Sequence, residues 1–199
     1  DVDRRARHPD RAGEGTQESL AQLAVGARDH DLHGCDCTVG LGRASKPEDR
    51  ARYNPGVPTP FNHLAIARDL LPRLPGPMVS DLMAQAPAWR LGNIAPDVQT
   101  ISQQSRYATH FFHVPRGAAP RAHRVLFAEH PELADPRGLP LDRAVFMAGY
   151  LAHLEFDQRW ISDIFEPTFG PSANWETPAE RIYLHNALRA WWDARDLAG

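Results

Sequence analysis

His153 and Asp157 stand four residues apart in the apolar stretch Gly149-Tyr150-Leu151-Ala152-His153-Leu154-Glu155-Phe156-Asp157. At helical pitch that spacing puts both side chains on one face, one turn apart. Phe146, Tyr150, Phe156, Trp160, Ile161 and Ile164 surround them in the sequence, so this face is expected to be buried. An uncompensated carboxylate there would cost roughly several kcal/mol. Three kinds of partner relieve that cost: the histidine itself, an arginine, or a bound cation. Three more residues of the same chemistry lie at or near other apolar segments, namely His63, Asp97 and His110. Imidazole nitrogens and carboxylate oxygens together form the ligand set of zinc and related divalent ions, and catalytic zinc keeps one position for water. Glu155 falls on the opposite side of the same helix from His153 and is expected in solvent.

The segments that must position these residues read as helices. Residues 61–71 repeat apolar side chains at helical spacing and stop at Pro72, which places His63 in a first turn. A second helix is predicted over 80–89, with Ser80 as N-cap and an end by Gly92. The turn-rich run Leu91-Gly-Asn-Ile-Ala-Pro-Asp97 then delivers a carboxylate to the start of a helical stretch over 98–110, where a negative charge is favoured. A short helix follows over 122–128. The long one runs over 141–165, opened by Gly138-Leu-Pro140 and halted by Pro167. Thr177-Pro178-Ala179-Glu180 combines a capping box with proline at the first helical position and opens the last helix. No segment alternates with period two, so the fold class is all-α, a bundle of five or six helices. Neither a glycine-rich phosphate loop nor a Gly-x-Ser-x-Gly elbow occurs, which argues against nucleotide hydrolysis and serine-esterase chemistry.

All this lies beyond residue 52. The first 52 residues contain no Phe, Tyr or Trp and are rich in Arg, Asp, Gly and Ala. They are expected to form a flexible or disordered extension with one short helix over 16–25. Tyr53-Asn-Pro-Gly-Val-Pro-Thr-Pro60 is the boundary, and residues 53–199 form the helical domain. Within the extension, His30, His33, Cys35 and Cys37 make a ligand-rich tract without a common zinc-finger spacing. A net charge of -3 gives no reason to expect a stable nucleic-acid partner. No apolar run reaches bilayer length and the chain opens without an apolar signal core, so a cytoplasmic location is the default expectation; the missing initiating Met is also compatible with a removed leader.

The order and spacing of Phe-Asn-His63-Leu-Ala-Ile-Ala, Leu-Gly-Asn-Ile-Ala-Pro-Asp97, Ala-Thr-His110-Phe-Phe and Ala-Gly-Tyr-Leu-Ala-His153-Leu-Glu-Phe-Asp157 resemble the zinc-dependent phospholipase C family over residues 60–169. That family is an all-helical bundle sharing its metal site with fungal single-strand nucleases. The resemblance implies that Asp97, His110, His153 and Asp157 are metal ligands, with Asp157 bridging to an ion also bound by His63, and with Asp97 as the candidate catalytic residue. It implies an oxygen ligand at Asp163, ten residues after His153, where the family has histidine. It implies a later His-x-x-x-acid pair, here His185 with Arg189 in the acid's place. The family's N-terminal tryptophan ligand has no counterpart, since residue 1 is Asp, so one or two zinc ions are expected and three is the upper bound. The implied chemistry is hydrolysis of a phospholipid or another phosphodiester, with metal-activated hydroxide attacking phosphorus. Arg106 and Arg159 are the candidate substrate-binding residues, and Tyr107, Phe111, Phe112 and Trp160 could form a cage for a choline-type headgroup. A nuclease or phosphatase on the same site, and a non-catalytic helical module with a structural or vestigial ion, are the competing expectations.

Overall fold

Prolines and glycines decide where the helices of this chain begin and how closely they approach. The computed structural model describes residues 57–115 and 117–198, so the expected extension over 1–52 and its His30, His33, Cys35 and Cys37 tract lie outside the described residues. The described residues are all-α, without a strand.

Helix α1, Pro60–Leu70, has Thr59 as N-cap, accepting from the Asn62 amide, and proline in its first turn. His63 sits in that first turn, as expected, and is buried. The helix predicted over 80–89 is instead two helices, α2 at Gly76–Ala84 and α3 at Ala86–Ile94. Pro87 is the reason. It lacks the N–H that a helix interior requires, so the chain breaks at Gln85 and restarts with proline in the first turn of α3. Pro77 likewise starts α2 earlier than Ser80.

Residues 91–97 are not a loop: α3 continues to Ile94, and a 3-10 turn at Ala95–Val98 carries Asp97. The single helix expected over 98–110 is broken as well, into α4 at Gln99–Ser102 and α5 at Tyr107–His110. Gln103 takes a left-handed conformation between them, and residues 103–105 are polar and exposed, with no apolar face to bury. Helix α6, Ala122–Glu129, agrees with expectation.

Helix α7, Leu141–Arg159, is the axis of the fold, and it packs most extensively against α3. Beyond it the chain winds on as a π-helix, Trp160–Phe169, which carries Pro167 inside it rather than stopping before it. Its buried residues, Trp160, Ile161, Phe165 and Phe169, form the inward face of this looser winding and join the core. Helix α8, Pro178–Ala198, starts as the sequence says, with the Thr177 hydroxyl accepting from the Glu180 amide at 3.1 Å. It docks on the start of α1, where Asn62 donates to Asp196 at 2.8 Å and Thr59 to Asp193. No helix among the described residues is long and apolar enough to cross a membrane.

Two glycines set the distance between α3 and α7. A Cβ at Gly92 would come within 2.1 Å of the Phe146 carbonyl oxygen, and one at Gly149 within 2.5 Å of that of Trp89. The helices cross in backbone contact, glycine against backbone on both sides. Gly92 therefore does not terminate a helix, as the sequence reading had it; it lets two helices touch. The core divides around this crossing. Val145, Trp89, Leu82 and Met78 form one apolar cluster, and Leu154, Trp160, Ile161, Phe112 and Phe165 form the other.

Candidate metal centre

The close α3–α7 crossing brings the Asn93 carbonyl oxygen to 2.7 Å from His153 Nδ1. A carbonyl only accepts, so Nδ1 carries the proton, and in the neutral ring Nε2 is left with its lone pair. Neutral is the favoured form. Burial, the stacked His63 ring 3.7 Å away and His110 outweigh the two aspartates and push His153 down to about 3 from its ordinary 6.5. This is the arrangement of a metal-ligating histidine, with one nitrogen oriented by a carbonyl and the other free to bind.

Four ligand-type atoms face one another across this point. His110 Nε2 lies 3.3 Å from His153 Nε2, 3.4 Å from Asp157 Oδ2 and 3.6 Å from Asp97 Oδ1. His153 Nε2 lies 3.7 Å from the same Asp157 oxygen and 3.9 Å from the same Asp97 oxygen. Tetrahedral zinc with bonds of about 2.1 Å spaces its ligand atoms about 3.4 Å apart, so these separations suit a zinc-sized ion. All four side chains are buried. His63 approaches from α1, with its Nε2 3.3 Å from Asp157 Oδ1 but not aligned to hydrogen-bond it. Two overlapping triads, His63–Asp97–His153 and His110–His153–Asp157, could each hold a metal ion. Because Asn93 engages Nδ1 of His153, that ring has one nitrogen to give, and through His153 the triads describe one ion rather than two.

Orphaned polar atoms point the same way. His63 Nε2, Asp97 Oδ2 and Asp157 Oδ1 are buried without a hydrogen-bond partner, which is costly unless something else meets them. Thr109 adds a further sign. Its hydroxyl lies 2.9 Å from His110 Nδ1 and 3.4 Å from the Arg106 carbonyl. If it donates to that carbonyl it accepts from His110, and His110 Nε2 then turns a second lone pair toward that of His153. Two lone pairs 3.3 Å apart repel unless a cation lies between them. The donor set fits a divalent ion with mixed nitrogen and oxygen ligands.

An arginine is also present. Arg106 donates to Asp157 Oδ2 from beneath, with its guanidinium 4.7 Å over the Phe112 ring. Burial alone would raise the Asp157 carboxyl, yet His110, His63 and His153 beside it hold it well below the usual carboxylate range. Of the partners named from the sequence, histidine and arginine both meet this carboxylate. Arg106 is thus engaged with Asp157 rather than open to a substrate.

The other expected site residues are placed elsewhere. Asp163 is exposed on the π-helix and belongs to neither triad, because the winding changes after Arg159. Arg159 is exposed and pairs with Glu155 at 2.9 Å, one turn back on α7 and away from the cluster. Glu155 is not simply in solvent but half-buried between Arg159 and Arg121. Phe111, Phe112 and Trp160 are core, and Tyr107 donates to Glu129 and stacks on His113, so the four do not form a cage. His185 is buried against Phe165, Phe169 and Trp160. Arg189 on the same helix lies in the field of Asp193, Asp97 and Asp157, and burial lowers it from its ordinary value.

Sequence reasoning missed Asn93 and Thr109, which orient the two rings. Asn93 acts through its backbone carbonyl, so its side-chain type carries no signal, although Gly92 beside it marks the close approach. Comparison of the chain with protein-family models, curated proteins and solved structures gives no match.

Proposed function

We propose that this chain is a zinc-dependent hydrolase of phosphodiesters, phospholipase C-like, with His110, His153, Asp97 and Asp157 around the ion and His63 completing the group beside Asp157. The observation that carries the reading is the convergence of two imidazole nitrogens and two carboxylate oxygens at 3.3 to 3.9 Å in a buried site. The motif order over residues 60–169, which resembles the zinc-dependent phospholipase C family, supports the same choice. A divalent ion in such a site supplies Lewis acidity toward water and toward a phosphoryl oxygen.

The chain's own groups have definable parts in that chemistry. Asn93 holds His153 in the Nδ1–H form, and Thr109 orients His110. Asp97, the more accessible of the two aspartates, keeps a buried oxygen without a hydrogen-bond partner and in this reading would take a proton from an incoming nucleophile. Arg106 and Arg189 supply positive charge near Asp157, where charge on a phosphoryl group would otherwise be repelled. Hydrolysis of bis(4-nitrophenyl) phosphate and of phosphatidylcholine micelles by the zinc-loaded protein tests the reading. Turnover abolished in Asp157→Asn and His153→Ala, with the helical circular dichroism kept, is the expected result. No turnover of any phosphodiester by zinc-loaded, folded protein contradicts it.

One observation favours a second reading. The Arg106 guanidinium already compensates Asp157, so the group could persist as a non-catalytic polar core or a structural ion site. Zinc that raises the melting temperature without conferring turnover would select it.

A further inference from the structure

On the flank of α7 away from the metal centre lies a cavity of about 550 Å³. Ala148, Leu151, Ala152, Glu155 and Arg159 line it, a stripe at i, i+3, i+4, i+7 and i+11 that keeps to one helix face. Across from them Leu82 and Trp89 belong to the walls, which are predominantly apolar. The volume falls within the roughly 300–1,000 Å³ range of small-molecule sites, which are likewise apolar with a few placed polar groups.

Charge is confined to one part of the lining. Arg121 and Arg159 converge on the single carboxylate of Glu155, at 2.8 and 2.9 Å. These side chains are 31%, 64% and 37% exposed, so they stand at the mouth rather than the floor. Two guanidinium groups against one carboxylate leave an excess positive charge there. Arginine has donors to spare: five N–H groups each, of which Glu155 occupies few. An apolar interior beneath a cationic rim is complementary to one class of molecule.

We infer that this cavity binds a single-chain amphiphile with an anionic head, a fatty-acid carboxylate or an alkyl phosphate, the chain lying along Ala148, Leu151 and Ala152 and the head meeting Arg121 and Arg159. The residues that would meet the head and the chain are none of the metal-centre ligands, and the inference does not rest on the proposed function. Two residues join the sites: Asn93, which lines the cavity and whose carbonyl meets His153 Nδ1, and Phe156, which lines it and sets its edge against His63 with 5.3 Å between centroids.

Calorimetric titration of the full chain with dodecanoate, dodecyl phosphate, dodecyltrimethylammonium and butyrate, each below its micellar concentration, tests the inference. Saturable binding of either twelve-carbon anion is expected, and the tighter of the two identifies the head. The cation and the short acid should bind at least about tenfold more weakly. Arg121→Gln combined with Arg159→Gln, the first half-buried and the second exposed, should weaken dodecanoate by about tenfold through loss of charge-assisted hydrogen bonds while the helical signal is kept. Ala148→Phe should abolish binding by filling the space. The inference is overturned if neither anion binds up to its solubility, if the cation binds as well as the anion, or if the double arginine variant binds dodecanoate as the parent does.

Discussion

The two flanks of α7 bury the same helix in opposite ways. On one, His153 and Asp157 are fully enclosed, and their polar partners are imidazoles, a carboxylate, an arginine and a carbonyl. On the other, six apolar residues of the same helix line a cavity, and the charged pair Glu155–Arg159 is left at its rim. Both flanks carry an i, i+4 pair of opposite chemistry, yet only one is a candidate metal site. Burial and convergence make the difference. An exposed pair such as Glu155–Arg159 is worth about 0.3–0.5 kcal/mol and competes with water, whereas the buried group must be compensated atom by atom.

The sharpest way to break the contrast is to separate α3 from α7. Gly149→Val places a branched side chain against the Trp89 carbonyl and the Asn93 amide, and should destabilise the fold by about 3 kcal/mol or more, measured by urea denaturation. It should also disturb the Asn93–His153 hydrogen bond, so any folded fraction should bind zinc poorly.

Acid should weaken the polar flank. His153 is held neutral in the fold, down to about 3, so the unfolded chain takes up its proton first as pH falls below 6.5. Stability is therefore fully present above pH 6.5 and declines as pH falls toward 3, by up to about 1.4 kcal/mol per pH unit for this one group. Asp157, held well below its ordinary 3.8, extends the loss to still lower pH. Denaturation of metal-free protein between pH 7 and pH 4 measures the slope, and His153→Gln should flatten it.

A finer cut leaves the fold intact. Thr109→Val keeps the shape but removes the hydroxyl 2.9 Å from His110 Nδ1. Zinc affinity should fall about tenfold, as is typical when an orienting partner of a ligand is lost. Competition against a chelating dye reads that change.

The polar flank was partly legible in the sequence. The His153–Asp157 spacing follows from helical pitch, and their burial from the apolar residues around them. Residue type and apolar surroundings singled out His63, Asp97 and His110, but bringing them to the same place depends on how α1, the 3-10 turn and α5 dock on α7, which no local pattern encodes; only the family resemblance implied that they act together. Arg106 on Asp157 was open among the alternatives but not assigned. Asp163 came from the family resemblance alone, as the residue ten positions after His153, and the π-helix that carries it leaves it exposed. Helix breaks at Gln85 and Gln103 could have been read from Pro87 and from the polar run at 103–105. The apolar flank was not legible at all. A cavity is what packed helices leave between them, and Ala148, Leu151 and Ala152 look in sequence like ordinary core.

The central claim is that the buried group on α7 is a metal centre. Elemental mass spectrometry of the purified full chain after zinc loading and desalting, beside Asp157→Asn treated identically, tests it most directly. Stoichiometric zinc, one ion per chain, falling in the variant while the helical signal is kept, is the predicted result. Folded protein that retains no zinc would contradict the account and leave His153, Asp157 and Arg106 as a buried hydrogen-bonded core.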